Sequence, residues 1–213
     1  MTENEEFIFE SIYNQIRMGF LSIEEIKENI IEEIEDNEFE EEMSKEWAYK
    51  IIREEYEMLV TESKNWKKPT DTEKLIKAFN ELCKTNIIAL HNAGYTTSDG
   101  EGEVAEVETE LIERGKKPDG YCFYHEQDLA RAIVPENPSL MIAFQKINNS
   151  DDKTTVEIGK RVVEILKKNG FQINWNQSAT TKIEIPNFSW KKLYDDSSED
   201  LLNYQKVIEI MTN

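Results

Sequence analysis

The chain has 213 residues, 38% of them hydrophobic and 10% aromatic, with a net charge of −19 at pH 7. That is enough apolar material for a packed core, which excludes wholesale disorder, and the negative charge repels nucleic-acid backbones. No apolar run approaches the roughly 18 residues that would cross a bilayer, so membrane association is not expected either.

The first residues, Met1-Thr-Glu-Asn-Glu-Glu6, carry neither the basic start nor the apolar stretch of a signal peptide. With Cys83 and Cys122 matching no metal-ligand spacing, the expectation is a cytoplasmic protein with reduced thiols. The charge is lopsided: residues 1–66 hold 20 acidic and 6 basic residues, −14 of the total. This suggests an acidic helical segment over 1–66 and an α/β domain with a C-terminal helix over 67–213.

Three helices are expected in the first segment. Phe9, Ile12 and Ile16 form a stripe that ends at Gly19, a natural C-terminal stop. Ser22 and Glu25 make a capping box, followed by Ile23, Ile26, Ile30 and Ile34 at helical spacing. After the acidic run Glu38 to Glu42, a third helix carries Trp47, Ile51, Ile52, Tyr56, Leu59 and Val60. The stretch from Ser63 to Asp71, with Pro69, reads as a joint.

Thr70 and Glu73 then cap a helix with Leu75, Phe79 and Leu82 on one face. Ile87–Leu90 is a short apolar run suited to a buried strand. Ser98 and Glu101 are the expected cap of the helix that follows, marked by Val104, Val107 and Leu111 and stopped at Gly115. Tyr121–Tyr124 is a second strand, Gln127–Val134 a short helix ended by Pro135, and Leu140–Phe144 a third strand. Val156, Gly159, Val163 and Leu166 mark a long helix up to Gly170. Phe171, Ile173 and Trp175, then Ile183 and Ile185, alternate as the two arms of a hairpin. Pro186 places its last arm at an edge. A helix over Glu199–Met211 ends the chain. The expected class is α+β with α/β character: three N-terminal helices, then a mixed sheet of about five strands flanked by helices. Helix alternation favours parallel neighbours and the hairpin adds an antiparallel edge.

Both histidines stand at strand ends with an aspartate close behind, His91 before Asp99 and His125 before Asp128. Neutral imidazoles with carboxylates can hold a divalent metal, which makes His91 and His125 the candidate ligands; one His–Asp pair can instead serve as a general base. The same residues can simply hydrogen-bond the loop backbone. Tyr95, Ser98 and Tyr124 complete the candidate functional set. Cys122 and His125 point to opposite faces of a strand and so cannot form a nucleophile pair. Gly-rich phosphate loops, Gly-x-Ser-x-Gly, His-Glu-x-x-His and paired Cys-x-x-Cys are absent, and no cofactor is implied.

His91-Asn-Ala-Gly-Tyr-Thr-Thr-Ser-Asp-Gly100 and Gly120-Tyr-Cys-Phe-Tyr-His-Glu-Gln-Asp128 together resemble the signature of a bacterial family of uncharacterised proteins. Gly170, Trp175 and Phe188-Ser-Trp190 extend the resemblance over about residues 70–192, and the helices around Gly19-Phe-Leu21 are similar more loosely. The resemblance implies a soluble bacterial protein and carries over no catalytic residue. The expected function is a non-catalytic binding or regulatory module whose partner is a basic protein or a small ligand. The competing expectation is a histidine- or metal-dependent enzyme built on His91, Asp99, His125 and Asp128.

Overall fold

The structure, a computed structural model, describes residues 1–136, 138–148, 151–195 and 198–213. The chain divides into two compact units: Met1–Lys68 with Lys191–Ser198, and Pro69–Trp190 with Glu199–Asn213. Among the described residues no helix is long and apolar enough to cross a membrane.

The first unit contains α1 (Glu3–Met18), α2 (Ile23–Asp36) and α3 (Lys45–Ser63). Each start is fixed by a short polar side chain. Thr2 with Glu5 and Ser22 with Glu25 form capping boxes, and the Ser44 hydroxyl accepts from the Trp47 amide. Gly19 ends α1 at φ 68°, a left-handed turn that a Cβ would spoil twice over: it would also come 2.7 Å from the Lys192 carbonyl oxygen. The core is largely isoleucine: Ile8, Ile12, Ile16, Ile26, Ile30, Ile34 and Ile52, closed by Met43, Ala48 and Leu59. Ile8 rather than Phe9 lies on the buried face of α1, because the inward row steps by four residues throughout. Glu55 is buried beside them; burial pushes its carboxyl up, and the Arg17 guanidinium 3.7 Å away pulls against that.

In the second unit the order is α4 (Asp71–Lys84), β1 (Ile87–Leu90), α5 (Thr97–Glu113), β2 (Gly120–Phe123) and α6 (Glu126–Ile133). Then come β3 (Ser139–Lys146), α7 (Asp152–Lys168), β4 (Ile183–Pro186), α8 (Ser198–Leu202) and α9 (Gln205–Thr212). The expected C-terminal helix is thus two short ones. The sheet is mixed and ordered β1-β2-β3-β4, with β1 and β2 parallel and the other two pairs antiparallel. The eight residues of β3 serve two neighbours in turn: Ser139–Ile142 pair with β4 and Ala143–Lys146 with β2.

Two expectations need correction. Among the described residues the sheet has four strands, not about five: Phe171, Ile173 and Trp175 form no strand, only a bridge from Asn174 to Glu184. The Trp175 ring draws this stretch onto α7, lying edge-on to Phe144 at 5.2 Å and filling the space over Gly159, where a Cβ would come within 2.5 Å of it. Secondly, β2 and β3 are antiparallel despite the helix between them. The buried apolar side chains of α6 are only Leu129 and Ala132, too few to carry the chain back across a sheet face as α5 does with Val104, Val107 and Leu111. On α7 Gly159 and Leu166 are buried as expected, while Val156 and Val163 are half-buried and Ile158 and Val162 take the inward positions beside them.

Candidate functional site

The carboxyl ends of the parallel pair β1 and β2 lead into two turns that are stitched together. The Ala93 amide donates to the Tyr124 carbonyl oxygen at 2.9 Å, and the Glu126 amide to that of Gly94 at 3.0 Å. All seven residues singled out from the sequence lie in these turns or in the first turn of the helix that follows each. In open α/β sheets this edge is where ligands collect.

His91 faces inward. Its ring stacks on Phe79 at 4.5 Å and meets Tyr124 edge-on, with Nδ1 3.2 Å from the Tyr124 hydroxyl. Trp190 lies edge-on to Tyr124 from another side. Burial in this aromatic cluster pushes the imidazole down to about 3, so it is neutral at any ordinary pH. Burial likewise pushes the Tyr124 phenol well up.

His125 does a different job. It is the N-cap of α6, with Nδ1 accepting from the Asp128 amide at 3.2 Å. Its Nε2 faces Asp128 Oδ2 at 3.1 Å. Lys182 closes the triangle: its Nζ donates to the same oxygen at 2.6 Å and lies 2.7 Å from Nε2. Arg131, one turn on, reaches the other carboxylate oxygen at 3.5 Å. Asp128 is fully buried, and its charge is met from three sides. Burial lowers the pKa of His125; Lys182 and Arg131 lower it further, while Asp128 and Asp99 oppose them.

Asp99 caps α5. It accepts from the Thr96 amide and hydroxyl at 2.8 and 2.7 Å and is held below the usual carboxylate range by the bonds from Thr96. The capping pair is therefore Thr96 with Asp99, not Ser98 with Glu101; Thr96 has the extended backbone that an N-cap requires, and Ser98 is already inside the helix and exposed. Tyr95 is 58% exposed, the most open aromatic side chain of this edge.

The four candidates thus separate. His125 and Asp128 come together; Asp99 acts on His125 as a nearby charge; among the described residues His91 shares no hydrogen-bond partner with any of them. Among the described residues, no group of three or more His, Cys, Asp or Glu side chains could hold a metal ion. Cys122 is buried in β2, with its thiol pushed well up.

The family described as "Domain of unknown function (DUF6891)" matches residues 1–194. The chain belongs to this family. No curated protein and no solved structure matches it. Every residue of the two turns, with Lys182, lies inside the DUF6891 span, whereas α8 and α9 lie beyond it.

Lys182 and Arg131 are the cluster members that sequence reasoning misses. Arg131 had a signal, since a cation three residues after an acid on a helix is a standard pair. Lys182 had none: with Glu184 it alternates against Ile183 and Ile185, as any outward strand residue does.

Proposed function

We propose that this DUF6891 member is a non-catalytic binding module whose partner is a protein with a basic surface. The observation that carries the reading is that both imidazoles are already committed within the fold, His91 to an aromatic cluster and His125 to a helix cap. Neither stands open to a substrate as a general base must. What the protein offers outward is charge. Residues 1–66 turn their isoleucines into a closed core and carry 20 acidic residues against 6 basic ones, and of those acids Glu55 alone is buried. Such a field speeds and orients the approach of a basic partner.

The test is capture from native lysate at low and moderate salt, with wild-type chain and with the double variant Glu28→Lys/Glu32→Lys, two exposed positions one turn apart on α2. A partner held by wild type at low salt, released at moderate salt and missing from the variant supports the reading. Recovery of nothing, or of material insensitive to both salt and charge reversal, overturns it.

A further inference from the structure

Among the described residues β1 is an edge strand, hydrogen-bonded to a neighbouring strand on one side, yet all four of its residues are buried. The last helix contributes to that cover: α9 packs on α4, α5 and β1, burying Ile208 and Met211. Three facts make this cover unlike the rest of the fold. The helix lies outside the DUF6891 span, which ends at residue 194. It has eight residues and no side-chain cap, so it has no stability of its own and is helical only while docked. And it does not fill the space it occupies: a cleft of about 730 Å³ remains between its end, at Ile210 and Met211, and Cys83, Lys84, Asn86 and Lys116.

We infer that the groove formed by α4, β1 and α5 is a docking site for an amphipathic helix of a partner protein, and that α9 is its intramolecular occupant. The inference rests on the protein-binding reading above. The partner's chemistry follows from how α9 is held. Two apolar side chains three residues apart, as Ile208 and Met211 are, enter the groove. Along the α5 rim the Tyr204 hydroxyl donates to Glu103, and Gln205 Nε2 donates to Glu110 at 2.9 Å. Arg114 already pairs with Glu110 and reaches Gln205 Oε1 at 3.4 Å, so a cation suits the Tyr204 position, beside Glu103 and Glu106, and not the Gln205 position. A partner helix with Arg or Lys where α9 has the neutral Tyr204 makes a charge-assisted bond to Glu103 and so displaces α9, in keeping with a basic partner.

Two measurements on the full chain test this. In native-state hydrogen exchange, the α9 amides are expected to exchange at least ~100-fold faster than those of β1, because α9 opens locally while the sheet stays closed. In the second, fluorescein-labelled peptides spanning residues 199–213, one with the natural sequence and one with Tyr204→Arg, are titrated into wild-type chain and into the full-length Ile208→Asp variant. The variant is expected to bind at least ~10-fold more tightly than wild type, whose groove is taxed by its own helix. The Tyr204→Arg peptide is expected to bind more tightly than the natural one. No binding to a variant that circular dichroism shows to be folded, or equal binding to both chains, overturns the inference. If the variant does not fold, exchange decides alone, and α9 amides as protected as those of β1 overturn it. The charge reversal on α2 touches none of these readouts, so the two proposals fail separately.

Discussion

The two turns at the carboxyl edge of the sheet look alike in sequence and differ in what they do with their histidine. Each runs strand, histidine, then an aspartate that closes a capping box three residues after the cap. In the β2–α6 turn the histidine is itself the cap, one residue beyond Tyr124, and its ring stays beside Asp128. In the β1–α5 turn four residues stand between His91 and the cap Thr96, so the ring is free to turn inward onto Phe79. Distance along the chain therefore assigns the roles: an imidazole next to a helix start satisfies the backbone, and one set back from it is absorbed as an aromatic core residue. The aspartates diverge in the same way, Asp99 exposed and Asp128 fully buried.

The sharpest way to break this pairing is to remove each aspartate in turn. Asp128→Ala takes the buried carboxylate from the cluster and leaves Lys182, Arg131 and His125 facing one another. The loss should be about 3 kcal/mol, the lower end of the range for opening a buried ion pair, since Lys182 and Arg131 keep some access to solvent. Asp99→Ala removes one solvent-exposed half of a capping box and should cost a small fraction of that. Urea midpoints of the two variants check the contrast, and equal losses would mean that the two turns are not different in kind.

A second test uses acid. His91 is held down to about 3 in the folded chain and returns to about 6.5 on unfolding. Below pH 6.5 the unfolded state therefore binds a proton that the folded state refuses, so stability is complete above 6.5 and falls as pH drops toward 3. Between pH 7 and pH 5 this amounts to about 2 kcal/mol. His125, also shifted downward, adds to the loss with the same sign. The double variant His91→Phe/Tyr124→Phe keeps the ring packing without orphaning the Tyr124 hydroxyl. It should lose about 2 kcal/mol less than wild type over that interval in urea melts at the two pH values.

Much of this fold is written locally. The boxes Ser22/Glu25 and Thr70/Glu73 announce their helices, and the isoleucine rows announce the closed core of the first unit. What local pattern cannot carry is partnership at a distance. Phe171, Ile173 and Trp175 alternate like a strand, yet Trp175 is claimed by Gly159 and Phe144, which lie elsewhere in the chain. The strand-end histidines are legible as special, but their separation is not. It depends on Phe79, which lies on α4, and on Lys182, which enters more than fifty residues after His125.

The finest test separates the cap from the ring. Serine is among the best N-cap residues and alanine among the worst, the difference being about 1 kcal/mol. At position 125 both substitutions remove the imidazole and its contacts with Asp128 and Lys182, but serine still offers an oxygen to the Asp128 amide. His125→Ser should therefore be about 1 kcal/mol more stable than His125→Ala. At position 91 no helix begins, and the ring is worth only its packing against Phe79 and its bond to Tyr124. His91→Ser should show no such advantage over His91→Ala, since a buried hydroxyl there gains no amide to bind. Urea melts of the four single variants give both differences directly. A serine advantage at both positions, or at neither, would mean that the histidine beside α6 is not acting through its cap, and the distinction between the two turns would fall.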